Sequence, residues 1–179
     1  MGRFKKWAQH QYSKKQRMIA VIFGGFIFWI VIPLSIILAS FYIDQWLQLP
    51  QFRHGLINPV IGFMFMVAGW LFANWTVKVQ FTVGKGTPIP LMATQKLIVK
   101  GPYTYCRNPM TLGTDLFYLG VAIWLGSISA VGFGLIYPAG ILIYIKLIEE
   151  KELEDRFGSE YLAYKKNTPF LIPSLGKKD

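Results

Sequence analysis

Two acids stand side by side in this chain, Glu149 and Glu150, at the end of an apolar run where an uncompensated charge is costly. Such a pair calls for a cation, and Lys146, Arg107 and a bound ligand are the three sources open to it. Arg107 opens the segment Arg107-Asn108-Pro109, which follows closely on Gly101-Pro102-Tyr103. Pro109 suits the first turn of a helix, where its missing N–H costs nothing, and Asn108 then falls at the N-cap. An ordinary cap accounts for that dipeptide on its own. Asp115 lies further along the same apolar run. Thr111, Thr114 and Asp115 share one face of a helix by their i, i+3, i+4 spacing. Acids within apolar helices face a bundle interior or a wet cavity, so Asp115 reads as a functional group or as a buried structural hydrogen-bonding group.

The elements that must position these residues are written in the distribution of charge. Met18 to Ser40 and Gly55 to Val77 are each 23 residues without a charge, and Asn108 to Ile145 is 38 residues with Asp115 alone. About 20 helical residues, rising ~1.5 Å each, cross a hydrocarbon core of ~30 Å. The third block is long enough for two crossings, near 109–126 and 128–145, joined by a tight turn at Gly126-Ser127-Ile128-Ser129. The fold expected is all-α: a polytopic bundle of four transmembrane helices in a single domain, 1–179. Within it, 1–17 is a basic N-terminus, 18–77 a first helical hairpin, 78–173 the functional core and 174–179 a tail. The first block is too long for a signal peptide, whose apolar region runs to about 7–15 residues.

Segment 1–17 carries six basic residues and no acid, and segment 78–107 carries five and no acid. Lys/Arg-rich short segments stay cytoplasmic, which puts both termini and the 78–107 loop on that face. The net charge of +10 is thereby explained by topology and anionic lipid, without nucleic acid. The one cysteine, Cys106, excludes an internal disulfide. No obligate protein partner is evident in the sequence.

The loop 78–108 is long for a helix connection and rich in turn formers, notably Gly84-Lys85-Gly86-Thr87-Pro88-Ile89-Pro90. After the glutamates, Leu153, Phe157, Tyr161 and Tyr164 form one apolar stripe on a helix from Lys151 to Lys166. Such an amphipathic helix lies on the membrane surface or covers the inner-face loop. The lid is the expected role, because the helix begins at the two glutamates.

Taken in order, these pieces resemble the superfamily of integral membrane methyltransferases that includes isoprenylcysteine carboxyl methyltransferases and phospholipid N-methyltransferases. The resemblance rests on Gly101-Pro102-Tyr103, Arg107-Asn108-Pro109-Met110-Thr111, Glu149-Glu150, Phe157-Gly158-Ser159-Glu160-Tyr161 and Ile172-Pro173, with Gly84 to Pro90 similar to a loop of prokaryotic members. It covers roughly residues 84–173. Asn108 stands where the family more often has His, and Thr111 where it more often has Tyr. The resemblance implies S-adenosylmethionine held at the cytoplasmic face and no metal. It implies a cofactor site of Lys100, Gly101, Tyr103, Arg107, Asn108, Thr111, Glu149 and Glu150, with Arg107 and Glu150 catalytic. Glutamates would meet the cationic parts of the cofactor, Arg107 its carboxylate or the glutamates, and backbone from Lys100 to Tyr103 its adenosine. It also implies a lipophilic methyl acceptor entering from the bilayer and a prokaryotic inner-membrane location. Two other classes compete: a membrane scaffold or transporter, and an NADPH-dependent membrane reductase.

Overall fold

The computed structural model describes residue 10, residues 12–89 and residues 92–173. The expectations resting on Arg3, Lys5, Lys6, Pro90 and the 174–179 tail lie outside the described residues. Among those described, the architecture is all-α, with five helices and no strand. They are α1 (Lys14–Trp46), α2 (Ile57–Thr82), α3 (Pro109–Leu125), α4 (Ile128–Phe157) and α5 (Ser159–Asn167). By length and composition α1, α2 and α4 suffice to cross a membrane, whereas α3 is apolar but only 17 residues long. Large apolar side chains on the outer faces, among them Ile22, Phe23, Leu38, Phe63 and Leu71, are exposed, as a surface meant for lipid requires.

Helix boundaries depart from the charge pattern in three places. α2 runs on to Thr82, so Lys78 belongs to the helix and not to the loop. α1 extends to Trp46, beyond the end of the charge-free block at Ser40, and carries Asp44. α4 does not stop near residue 145; a π-helical turn at Ile145–Glu149 carries it on to Phe157. A second π-helical turn, Ile27–Val31, precedes Pro33 in α1. Proline has no N–H for the helical ladder, and a shifted register just before it accommodates that loss. Within this turn the Phe28 carbonyl accepts a bond of 2.9 Å from the Tyr118 hydroxyl of α3.

The closest helix contact is between α2 and α3, and glycine makes it. Gly62, Gly69 and Ala73 face Gly113 and Gly120. A Cβ on Gly69 would stand 2.5 Å from the Gly113 carbonyl, and one on Gly120 would stand 2.7 Å from that of Gly62. Backbones this close gain packing contacts that larger residues would forbid. The seven-residue spacing on both helices keeps those glycines on one seam. α3 is thus fixed rigidly on α2, and its other face is free to line a site.

The bundle end at the Gly126–Ser129 turn, the outer end in the topology expected from charge, is closed by local caps. Gly126 takes a left-handed conformation (φ +62) and ends α3, and the Ser127 hydroxyl accepts from Ala130 N–H at 3.0 Å to start α4. This is the tight turn the sequence predicts. Buried Asp44 accepts from Ser129 N–H at 3.3 Å, placing a carboxylate at the N-terminus of α4.

The inner-face loop is ordered by its own backbone. Thr87 N–H donates to the Met92 carbonyl at 2.9 Å and Gln95 N–H to that of Gly84 at 2.7 Å. Gly86 lies so close to Thr94 that a Cβ would approach its Cα to 2.5 Å. The loop is tied to α4 by Arg156, whose guanidinium donates to the Thr94 carbonyl.

Candidate active site and family

A cavity of about 250 Å³ opens at the inner end, between this loop, the inner half of α3, α4 and α5. α3 contributes Thr111 and Asp115, α4 contributes Tyr137, Ile141 and Glu149, and Phe28 closes one side from α1. Thr111, Thr114 and Asp115 all line it, in keeping with their shared helical face.

Arg107 is set at the centre of the inner end by main chain and side chain together. Its N–H donates to the Pro169 carbonyl at 2.9 Å, and its guanidinium lies 5.5 Å over the Phe170 ring. That guanidinium pairs with Glu150, which is buried, and reaches the Tyr161 hydroxyl at 3.4 Å. Glu150 has a second cation in Lys165 at 2.9 Å. Bonds from Lys165 to Glu154 and Glu150 hold its ammonium above the ordinary lysine range. Lys146, the other cation considered for the glutamates, is exposed.

Glu149 differs from its neighbour. It lines the cavity, yet among the described residues it has no ion pair and no hydrogen bond, and the charges of Glu152 and Glu150 act on it unfavourably. The π-helical turn ends on Glu149, and the added residue rotates the next turn of α4 relative to a regular helix. The two adjacent acids therefore face different surroundings, one satisfied by cations and one open to the cavity.

Of the eight residues expected to hold a cofactor, six line the cavity: Tyr103, Arg107, Asn108, Thr111, Glu149 and Glu150. Lys100 and Gly101 do not. Gly101 has φ +63 and starts a 3-10 turn where a Cβ would stand 3.2 Å from the Val79 side chain of α2, and Lys100 is exposed. Asn108 sits at the N-cap of α3 without bonding it; its amide instead donates to the Phe170 carbonyl at 2.9 Å. The segment after α5 is thereby clipped to the start of α3 at Arg107 and Asn108.

The C-terminal stripe is corrected by one residue. Gly158 adopts φ +53 and ψ −127, a conformation open to glycine, and it splits the expected helix into the end of α4 and α5. Leu153 before this bend and Tyr161 and Tyr164 after it reach the cavity wall, whereas Phe157 does not and lies beside Arg156. Tyr161 is 1% exposed, and the Tyr164 hydroxyl donates to the Tyr103 carbonyl at 2.8 Å. Burial pushes the Tyr103 and Tyr164 phenols up, so both stay neutral. Gln80, which escaped the sequence reading, donates to the Tyr103 hydroxyl at 2.6 Å from the end of α2. Its only sequence signal was a polar residue in the last turn of an apolar helix.

The model of the phospholipid methyltransferase family matches residues 57–160, more than half of the chain. The chain is also similar to the methanethiol S-methyltransferase of Crocosphaera subtropica, 26% identical over 98% of this chain and 68% of that protein. A second relative, methanethiol S-methyltransferase 1 of Bradyrhizobium diazoefficiens, is 28% identical over 96% of this chain. This chain spans 59% of the length of that second relative. With Tyr103, Arg107, Asn108, Pro109, Glu149 and Glu150 gathered around one cavity beneath apolar helices, the chain belongs to the phospholipid methyltransferase family and is a methyltransferase.

Proposed function

We propose that the protein transfers a methyl group from S-adenosylmethionine to a small lipophilic acceptor at the cytoplasmic face of a prokaryotic inner membrane. The observation that carries this reading is Glu149, an unpaired carboxylate on a cavity wall beside Glu150 and Glu152. An acid so placed is costly without a cation, and the donor has two cationic groups. S-adenosylmethionine supplies, when bound, a methyl group already activated on a sulfonium.

The chain's own residues then have distinct tasks. Glu149 holds a cationic part of the donor. Glu150, fixed by Arg107 and Lys165, keeps Arg107 oriented toward the cavity, where Arg107 and Asn108 are set to meet the donor's carboxylate or a ribose hydroxyl. Tyr103 and Thr111 complete the wall, and Tyr161 and Tyr164 exclude water from above. The positions of Lys100 and Gly101 argue against direct contact with the donor.

Residues 78–173 act as the functional core, with α3 as a fourth crossing. Although short, α3 joins the inner loop to the outer Gly-Ser turn and lies along α2 through the glycine seam. The basic segments place both termini inside. In sealed cells an impermeant thiol reagent should label a cysteine at Gln48 and not one at Lys85, in a Cys106→Ser background. Labelling at Lys85 from outside would overturn the orientation.

Acceptor entry is from the bilayer between α1 and α4, where Phe28, Tyr137 and Ile141 line the cavity. Its modest volume favours a small acceptor, and the relatives' names make a volatile thiol the first candidate. The test is methyl transfer from labelled donor, with methanethiol in one arm and phosphatidylethanolamine vesicles in the other. Label in the volatile thioether is expected. Label in the lipid alone would replace the thiol by an amine, and no label in either would contradict the small-thiol reading.

A further inference from the structure

The donor-holding residues account for one end of the cavity only. Its other end lies deeper, and Asp115 is there. Asp115 is six residues beyond Pro109 on α3, or about 9 Å along the axis. Tyr137 is opposite on α4, twelve residues before Glu149 and so roughly 18 Å from it along that helix. The same cavity is lined by both acids, and Phe28 and Ile141 make the wall at the deep end apolar.

Asp115 was open to a bland explanation, a buried structural hydrogen bond. That bond is not made. Its Oδ1 is buried without a partner, and Asp115 has no ion pair or hydrogen bond among the described residues. The titratable groups near it are the phenols of Tyr118 and Tyr137. Tyr118 is already committed to the Phe28 carbonyl, and neither phenol brings a positive charge. The guanidinium groups on the cavity wall, Arg107 and Arg156, lie toward the inner end and are engaged with Glu150, and with Glu152 and the Thr94 carbonyl, respectively. A lone acceptor atom at the apolar end of a reaction chamber is matched to a ligand that brings its own proton.

We propose that Asp115 is the catalytic base that takes the proton of the incoming acceptor, and that this end of the cavity is the subsite for a neutral thiol. The proposal rests on the donor reading above. In the step it serves, the acceptor's S–H bond breaks and its sulfur forms a new S–CH₃ bond. The proton goes to Oδ1 of Asp115, and the donor sulfur retains the electron pair of the broken C–S bond and leaves as a neutral thioether. No further reactant is needed. A general base of this kind contributes about 10²–10⁴-fold, and its contribution shrinks when the acceptor is already ionised in solution.

The experiment compares wild type with Asp115→Asn, using ethanethiol and the far more acidic 2,2,2-trifluoroethanethiol, of similar size, at one pH. Donor affinity is measured by calorimetry on the same samples. Asp115→Asn should bind S-adenosylmethionine within about threefold of wild type and lose roughly 100-fold or more with ethanethiol. With the acidic thiol its loss should be under about tenfold, and Asp115→Glu should recover part of the ethanethiol rate. Equal losses with both thiols, or no loss with either, would overturn the proposal. Should Asp115→Asn fail to fold, Asp115→Ser carries the same expected contrast between the thiols. A wild type that binds no donor would instead sink the donor reading itself, and a loss of donor binding confined to Asp115→Asn would move this residue to the donor's side of the cavity.

Discussion

The outer and inner ends of this bundle treat their polar residues in opposite ways. At the outer end Asp44 accepts from Ser129, Asn58 donates to the Ile123 carbonyl and accepts from His54 N–H, and Arg53 donates to the Leu125 carbonyl. Each of these groups finishes a helix end or a turn. At the inner end, buried atoms of Arg17, Gln80, Arg107 and Asp115 have no partner, and Glu149 faces the cavity unpaired. Every such buried atom among the described residues is on the inner half of its helix or in the inner loop. A buried group left unsatisfied costs about 1–3 kcal/mol. Three of these four residues, Gln80, Arg107 and Asp115, line the cavity.

A large effect should come from the seam that holds α3 in place for both ends. Gly69→Leu pushes a side chain into the Gly113 carbonyl, where neither backbone can give way, and should cost about 3 kcal/mol or more. Thermal unfolding in detergent would report it as loss of the folded species. Gly140→Ala, with open space around it, should be neutral or stabilising by roughly 0.5–1 kcal/mol.

The adjacent glutamates sharpen the contrast within the inner end itself. Glu150→Gln strands Arg107 beside a neutral amide and should destabilise by about 3–5 kcal/mol, because the pair is buried. Glu149→Gln removes an unpaired charge next to two other acids, so the ligand-free protein should be as stable as wild type or more so. Equal destabilisation by both would mean that Glu149 has a structural partner.

Asp44→Asn probes the outer end, where it weakens a cap at the start of α4. A loss of about 1 kcal/mol in unfolding is expected, with donor affinity unchanged. A fall in donor affinity would show that the two ends are coupled.

The smallest effect concerns Cys106, which is fully buried and whose thiol burial pushes up to about 11. The raised value favours the neutral thiol, so at pH 8 only about one in a thousand is ionised. Maleimide should therefore modify the folded protein at least about a hundredfold more slowly than the unfolded chain. Rapid labelling would place Cys106 at a surface.

Much of the arrangement was legible because membranes punish charge. The apolar blocks, the Gly-Ser turn and the glutamate pair stand out in a one-dimensional reading for that reason. Helix ends were less legible: the π-helical turn at Ile145–Glu149 has no evident sequence signal, and it carries α4 past Ile145, where the charge-poor block ends, to Phe157. The seam of Gly62, Gly69, Gly113 and Gly120 had a signal in its seven-residue spacing, and Gly158 had one as a glycine within the stripe. That Lys100 and Gly101 lie outside the cavity lining was not legible, because spacing does not reveal the left-handed turn at Gly101.

The role proposed for the unpaired carboxylate of Glu149 is to receive a cationic methyl donor. It is tested most directly by calorimetric titration of S-adenosylmethionine into the detergent-solubilised wild type and Glu149→Gln, each checked for an intact unfolding transition. Saturable one-to-one binding to wild type is predicted, weakened roughly 10- to 150-fold by the substitution, as loss of a charge-assisted hydrogen bond of ~1.5–3 kcal/mol requires. Equal affinity in the two proteins, or no binding to folded wild type, would contradict the account.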